Sequence, residues 1–174
     1  MSTIGFDTSN YTTSTARTDG KTDINVRQIL YVKDGERGIR QSDGVFQHMK
    51  LMPVMYEKLS EQIDFKDVKA VGVSTRPRCV EGSYMPVFLA GEGYAKVVAN
   101  TLGVPLYEFS HQDGHIMAGI YSSGSFELLE NDFISVHLSG GTTEILKSRY
   151  NGFNFDNEIV GGSKDISAGQ FIDR

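Results

Sequence analysis

Two histidines, His111 and His115, have a spacing at which their side chains could act together. They lie four positions apart within residues 110–118, and a helix would place both imidazoles on one face, one turn apart. Two imidazoles in that arrangement can bind one metal ion at about 2.0–2.1 Å. Two ligands do not complete such a site, so a third ligand, expected to be a carboxylate, must come from elsewhere.

The same spacing occurs in the H-E-x-x-H metalloproteases, where a glutamate follows the first histidine and acts as general base. Here the following residue is Gln112, whose amide cannot act as a base, and Asp113 is expected on another face of the helix. This pattern disfavours a hydrolytic site and favours a non-hydrolytic metal site. The alternative is that both histidines are hydrogen-bonded structural residues at the surface or core edge.

Two polar turns could hold a phosphate group. Residues 139–143, Ser-Gly-Gly-Thr-Thr, join two apolar segments and offer flexible backbone amides and hydroxyls. Asp7, Thr8 and Ser9 follow the first apolar segment, where the carboxylate could hold a nucleotide-bound cation. Each turn also has an ordinary explanation, because Gly-Gly makes tight hairpin turns and Asp caps them. Both interpretations stay open at this point.

Composition excludes several functions. The 174 residues carry a net charge of −5, which argues against broad, nonspecific binding of nucleic acid. Cys79 is the single cysteine, so there is no disulfide framework. The N-terminus lacks the pattern of a signal peptide, and no apolar run approaches the roughly 18 residues of a membrane span. We therefore expect a cytoplasmic protein with no membrane partner.

The elements that must position these residues begin with strands and then alternate between strands and helices. Strands are predicted at residues 3–6, 14–17, 25–32, 68–73, 105–109, 133–138, 144–146 and 153–160, and helices at residues 47–62, 87–102, 110–118 and 163–174. Pro53 predicts a kink or a helix start, and Ser163 is the predicted N-cap of the last helix. This order predicts an α/β fold with a mixed sheet. The last helical pattern runs into Arg174, so we expect the structure to continue beyond it.

The motifs, taken in order, resemble those of the TsaD family, formerly called Gcp or O-sialoglycoprotein endopeptidase. They are Gly5-Phe6-Asp7-Thr8-Ser9, residues 70–76, Gly82-Ser83, Tyr94-Ala95-Lys96, His111-x-x-Gly114-His115-Ile116, Leu138-Ser139-Gly140-Gly141-Thr142-Thr143 and Asp165-x-x-Ala168-Gly169-x-x-x-Asp173. The resemblance implies the actin/sugar-kinase/Hsp70-like (ASKHA) fold. Residues 1–174 would form its N-terminal, ribonuclease-H-like lobe, a mixed sheet flanked by helices, and the second lobe would lie outside this chain.

The resemblance also implies a function. Family members transfer a threonylcarbamoyl group from an adenylate to an adenosine of tRNA. His111 and His115 would hold one divalent metal ion, iron or zinc, whose aspartate ligand lies outside this chain. The residues implied to hold ATP or the adenylate are His137, Leu138, Ser139, Gly140, Gly141 and Asp173. No catalytic side chain is assigned, and we expect the full-length protein to be the enzyme and this lobe alone to be inactive.

Several departures from the family pattern mark the chain as a divergent paralogue, among them extra residues between Ser83 and Lys96. Asn-Tyr-Thr at residues 10–12 replaces the two carboxylates that follow the first turn in the family, Pro-Arg-Cys at residues 77–79 replaces a Gly-Pro-Gly loop, and Thr142 replaces a His or Asn. Two alternatives therefore stay open. One is a noncatalytic partner subunit resembling TsaB, and the other, less favoured, is a glycoprotease-type metallopeptidase. The implied partner is a related ASKHA-fold protein in a homo- or heterodimer, with tRNA reached through partners.

Overall fold

The computed structural model describes residues 1–36, 38–138 and 142–172. The chain divides into two compact units, residues 1–111 and residues 112–174. The first unit contains a five-stranded sheet and the second a three-stranded sheet. No helix in the described part of the chain is both long enough and apolar enough to cross a membrane.

The sheet of the first unit is mixed, as the sequence predicts. Its strands are β1 (Ser2–Asp7), β2 (Thr12–Thr18), β3 (Asp23–Ile29), β4 (Val68–Arg76) and β5 (Leu106–Ser110), in the order β3-β2-β1-β4-β5. β1, β2 and β3 pair antiparallel, whereas β4 and β5 run parallel to β1. The central strands β1 and β4 bury apolar residues such as Ile4 and Val71 completely. This burial explains why their sequences are apolar runs.

Two helices of the first unit cover this sheet. α1 (Gln41–Ser60) buries Met52 and Leu59, and α2 (Phe88–Leu102) buries Ala95 and Ala99, all in one core with β1 and β4. The small residues of α2 let its backbone lie close to the sheet. α2 ends at Gly103, which adopts the left-handed conformation (φ 66°) of a helix C-cap. A short 3₁₀ helix, Phe65–Asp67, leads into β4.

The second unit follows directly from β5. α3 (His111–Ser123) begins at the last residue of the first unit, and a 3₁₀ helix (Phe126–Glu130), β6 (Phe133–Leu138), β7 (Thr143–Tyr150), β8 (Phe155–Gly162) and α4 (Ala168–Ile172) follow. β6, β7 and β8 form an antiparallel meander in sequence order. The expectation that residues 1–174 form one N-terminal lobe, with a second lobe outside the chain, stays a prediction.

Two helix starts differ from the sequence predictions. α1 begins at Gln41 and contains Pro53, so a helix start at Pro53 is wrong. A proline leaves the carbonyl four residues earlier without its helical partner. That carbonyl, of Met49, accepts a hydrogen bond from the Tyr94 hydroxyl at 3.0 Å, which explains how the helix tolerates the proline.

The last helix begins later than predicted. α4 starts at Ala168, and Ser163 is not its N-cap, because the Ser163 amide donates to the Thr143 carbonyl at 3.0 Å and so prolongs the pairing of β7 with β8. Ser167 takes the capping position, since its hydroxyl accepts from the Gln170 amide at 3.2 Å.

Candidate functional site

The first half of the candidate site lies where the strands of the first unit end. β1 ends at Asp7, β4 at Arg76 and β5 at Ser110, and the three strands are parallel to one another. Parallel strands bring their carboxyl ends to one edge of a sheet, which is the usual place of ligand sites in α/β folds. His111 follows β5 without a connecting loop, so its side chain is positioned by the sheet as well as by α3.

Asp7 and His111 contact each other at this edge. His111 Nδ1 lies 2.8 Å from Asp7 Oδ2, and the Ser9 amide donates to Asp7 Oδ1 at 2.8 Å. Burial acts to raise the pKa of Asp7, but the hydrogen bond and charge of His111, with hydrogen bonds from Ser74 and Ser9, lower it to about 2. An ionised carboxylate only accepts, so Nδ1 of His111 carries the hydrogen.

This tautomer suits a metal ligand. In its neutral form with the hydrogen on Nδ1, the ring of His111 presents the lone pair of Nε2, whereas in its charged form it carries a hydrogen on both nitrogens. Histidines that bind metals commonly donate their other ring nitrogen to a carboxylate, which orients the ring and raises its basicity. The residues of the first unit therefore fit the implied metal ion, and Asp7 is a partner of His111 that the sequence did not reveal.

The remaining residues of the first turn have structural contacts. The Thr8 side chain is fully buried, and its hydroxyl donates to the Val87 carbonyl at 2.8 Å and accepts from the Gly91 amide at 3.0 Å. These bonds fasten the end of β1 to the first turn of α2. The Ser9 carbonyl accepts from the Thr12 amide at 3.1 Å and closes the turn. The phosphate or cation loop predicted at Asp7, Thr8 and Ser9 stays a prediction.

In the second unit, His115 contacts a histidine that the sequence assigned to another role. The rings of His115 and His137 lie with their centroids 5.5 Å apart and their planes at 75°. His137, on β6, faces Glu144, its partner on β7, with 4.0 Å between Nδ1 and Oε2. A cavity of about 390 Å³ is lined by both histidines together with Gln112, Ile116 and Val136.

The predicted adenylate segment is only partly described. Ser139, Gly140, Gly141 and Asp173 lie outside the described residues, while His137 and Leu138 end β6. A second, more polar cavity of about 430 Å³ is lined by Thr142, Thr143, Glu144, Ile159, Gly161, Gly162, Ser163, Lys164, Asp165, Ser167 and Gln170. The Thr143 hydroxyl accepts from the Ala168 amide at 2.7 Å. The fold thus brings two of the sequence motifs to one cavity.

Within residues 1–36, 38–138 and 142–172, no three His, Cys, Asp or Glu side chains come close enough together to hold a metal ion. His111 belongs to the first unit and His115 to the second, although both lie on α3. Their joint binding of a metal ion stays a prediction. A signal for the Glu144 contact was present in the sequence, because antiparallel pairing of the two predicted strands, which β6 and β7 confirm, brings position 137 opposite position 144.

The fold of the chain is of the ASKHA type. A solved structure of "YeaZ from Pseudomonas aeruginosa" superposes with a TM-score of 0.53 at 11% identity, over 94% of this chain and 66% of that one. A second solved structure, an uncharacterized protein "with similarity to peptidase YEAZ", gives 0.52 at 10% identity. At such identities these likenesses show the fold, and the ASKHA-type, ribonuclease-H-like fold predicted from the sequence is confirmed.

Sequence comparison then identifies the family. The model described as "TsaD: tRNA N6-adenosine threonylcarbamoyltransferase" matches residues 35–174, so the chain belongs to the TsaD family. Relatives of that name from Christiangramia forsetii and Moorella thermoacetica are 31% and 33% identical, over 71% and 73% of this chain and 34% of each relative. The relative from Pyrobaculum calidifontis is 28% identical over 98% of this chain and 47% of its own length. The chain thus spans a third to a half of these relatives.

Proposed function

We propose that this chain is the metal- and nucleotide-binding part of a transferase that moves a threonylcarbamoyl group from an adenylate to an adenosine of tRNA. Membership of the TsaD family supports the reaction class. The main observation in support of the metal site is the 2.8 Å contact between Asp7 Oδ2 and His111 Nδ1, because it orients the ring of His111 as a metal ligand. The activity belongs to the complete protein, and this chain alone is inactive.

His111 and His115 are proposed to hold one iron or zinc ion, with the third ligand outside this chain. The spacing of four positions along the sequence supports this assignment, because a helix places residues at that spacing one turn apart on one face. The ion, when bound, would supply a Lewis acid for the carbonyl of the transferred group. Asp7 would hold His111 in the tautomer that presents Nε2.

The adenylate or ATP is proposed to bind at residues 137–141 and Asp173. The polar cavity beside Thr142 and Thr143 supports this proposal, since hydroxyls and backbone amides around a cavity can hold a phosphate. Gly162 lines the same cavity, and a Cβ there would lie 2.8 Å from the Thr143 carbonyl oxygen. Only glycine allows the two strands to approach so closely at this cavity.

A transfer assay tests the proposal. The complete protein, with this chain joined to the rest of its reading frame, is incubated with threonylcarbamoyl adenylate and tRNA, and the modified adenosine is measured. We expect transfer that falls at least a hundredfold in His111→Ala and His115→Ala, with the folded state verified by circular dichroism. Absence of transfer by the complete protein, alone and with its co-purifying partner, would contradict the proposal.

A second candidate function, a noncatalytic subunit in a homo- or heterodimer with a related ASKHA-fold protein, is favoured by the surface of α2. Leu89 and Val97 lie two turns apart on one face of this helix and are 51% and 63% exposed. Apolar side chains repeated along an exposed helix face are typical of an interface. tRNA would then be reached through the partner, and the setting would be the cytoplasm.

The metallopeptidase alternative gains no support from the site. Gln112, at the position of the general base in zincins, is buried, and its amide cannot accept the proton of an attacking water. Asp113 is buried as well, and its Oδ1 lies 3.4 Å from the Phe155 amide that donates to it.

A further inference from the structure

We propose that the side-chain amide of Gln112 donates a hydrogen bond to the carbonyl oxygen of the transferred carbamoyl group and stabilises the charge that forms there. This inference rests on the proposed transferase function and deepens it, because it names a residue that contacts the transferred group. An amide cannot act as a general base, but it can act as a hydrogen-bond donor. Three features of the second unit support this role.

The first feature is an unpaired, buried amide. Gln112 is the second residue of α3 and is only 4% exposed, and its Nε2 has no hydrogen-bond partner within residues 1–36, 38–138 and 142–172. Because Nε2 is a donor, it needs an acceptor from elsewhere. A buried donor without a partner lowers stability, and a bound substrate is one source of the missing acceptor.

The second feature is the apolar surroundings of this amide. Gln112 lines the cavity of about 390 Å³ between α3 and β6, whose walls include Ile116, Leu128, Phe133 and Val136. Apolar walls lower the local dielectric constant and so strengthen a hydrogen bond to an oxygen on which charge develops. The volume lies within the range of small-ligand sites. The cavity thus offers space for a ligand beside a donor that has no partner in the described part of the chain.

The third feature is charge. Among the described residues that line this cavity, none is a lysine or an arginine, so the cavity offers no permanent positive charge to a phosphate. The second cavity, to which the phosphate contacts are assigned, is lined by Lys164. A carbonyl is uncharged before the reaction and matches the amide donor. His115, a proposed metal ligand, lines the same cavity as Gln112, so the carbonyl would lie beside both groups.

The reaction gives this donor a defined role. The exocyclic amine of the adenosine forms a bond to the carbamoyl carbon, and the bond from that carbon to the phosphate oxygen breaks. AMP leaves with the electron pair of the broken bond, and the attacking nitrogen loses one proton to the solvent. Negative charge grows on the carbonyl oxygen while the amine attacks, and a fixed donor stabilises that charge. Gln112 neither gains nor loses a proton in this step.

Transfer assays and thermal unfolding of Gln112→Met test this inference. Methionine has nearly the volume of glutamine but no donor, so in the complete protein we expect kcat for transfer to fall about a hundredfold, with KM and metal content unchanged. The melting temperature of the 174-residue variant should rise, because a buried donor without a partner has been removed. Gln28→Met, at an exposed position of β3, is the matched control and should keep the kcat of the unaltered protein.

The outcomes separate this inference from the proposed function. If the unaltered protein transfers the group and Gln112→Met has the same kcat, Gln112 has no such role and the transferase proposal stands. Absence of transfer by the unaltered protein would overturn both. Should Gln112→Met be unfolded by circular dichroism, Gln112→Leu is measured in its place and judged by the same criteria. A lower melting temperature in both variants would show that the amide is paired within the folded chain, and this would contradict the inference.

Discussion

At the scale of single residues, one carboxylate determines which nitrogen of His111 can bind a metal ion. Asp7 is ionised at neutral pH despite its burial, since His111, Ser74 and Ser9 hold its pKa at about 2, and its carboxylate therefore accepts the hydrogen of Nδ1. The contact joins the end of β1 to the start of α3, 104 residues further along the chain. Asp7, the last residue of β1, thus contributes to the site by orienting His111, which follows β5.

The substitution Asp7→Asn tests this positioning role. The asparagine amide can present either its oxygen or its NH₂ group to Nδ1, so the preference for one tautomer is lost. We expect zinc affinity to fall by about 10–100-fold, the range found when such partners of ligating histidines are removed. Isothermal titration calorimetry of the untagged protein with Zn²⁺ measures it. Asp43→Asn, in the first turn of α1 and exposed, is the matched control, and an equal affinity of both variants would contradict the role.

His48 predicts a dependence of stability on pH. Its side chain is fully buried beside the Thr13 hydroxyl, 2.8 Å from Nδ1, and its Nε2 has no hydrogen-bond partner among the described residues. Burial lowers the pKa of His48 to about 4, against a smaller opposing effect of the Asp7 charge. In the unfolded chain the pKa of a histidine is about 6.5, so between this pH and about 4 the unfolded chain binds a proton that the folded protein does not bind.

Stability should therefore fall as the pH decreases from about 6.5 to about 4, by as much as about 3 kcal/mol from this one residue. Urea unfolding at several pH values gives the slope. In His48→Gln the slope over this interval should be smaller, whatever the absolute stability of the variant. Identical slopes for both proteins would contradict the prediction, because they would show that His48 has the same pKa in the folded and unfolded states.

The sequence predicted the residues of the site better than their contacts. The spacing of His111 and His115 is local, so a helical pattern reveals it. The contact of Asp7 with His111, and that of His115 with His137, depend on strand order and register, which bring distant positions together. The chemistry of Gln112 could be judged from its residue type, whereas its burial follows only from the packing of α3.

At the scale of elements, the first turn of α2 is fixed to β1 by a single hydroxyl. Thr8 bonds both the Val87 carbonyl and the Gly91 amide. A Cβ at Gly91 would lie 2.8 Å from Thr8 Oγ1, so a larger residue there must displace a buried, doubly hydrogen-bonded side chain. Glycine at this position is thus required by close approach between two elements.

Gly91→Ala and Gly93→Ala test this requirement as a matched pair in one helix. Alanine favours a helix over glycine by about 0.5–1 kcal/mol. At Gly93 no atom lies within 4 Å of the added Cβ, so we expect stabilisation by that amount. At Gly91 the overlap with Thr8 should outweigh the gain and destabilise the protein by about 1–3 kcal/mol. Urea denaturation measures both, and equal stabilisation by the two variants would contradict the contact.

Element types followed from the sequence, whereas some element boundaries did not. The positions of β1, β4 and α2 were predicted because apolar runs and helical spacing are local signals. The prediction of a helix start at Pro53 failed because the Met49 carbonyl finds a substitute partner in Tyr94, on another helix. No local sequence pattern predicts this hydrogen bond, because its two residues lie 45 positions apart in the chain.

At the scale of the whole molecule, the fold class and the family were both predicted from the order of the motifs. The strand order β3-β2-β1-β4-β5 follows from an antiparallel meander and two parallel strands joined by helices. The division into two compact units was not predicted, because compactness depends on which elements pack together. Of the departures from the family, residues 10–12 and 77–79 belong to the first unit and Thr142 belongs to the second.

Association through α2 gives a prediction at this scale. Val97→Glu puts a charge into the exposed apolar face, and we expect it to weaken a dimer at least tenfold because a buried, unpaired charge opposes association. Val80→Glu makes the same substitution at another exposed valine and should leave association unchanged. Sedimentation equilibrium over a range of concentrations measures both. A dimer that tolerates Val97→Glu as well as Val80→Glu would exclude this face.

The central claim is that α3 carries a metal centre, and the metal content of the protein purified without a histidine tag tests it most directly. Elemental analysis should find one iron or zinc per chain in the unaltered protein. The content should fall to less than a tenth in both His111→Ala and His115→Ala, while circular dichroism shows both to be folded. A metal-free protein that gains neither ion on incubation, or a metal content unchanged by both substitutions, would contradict the claim.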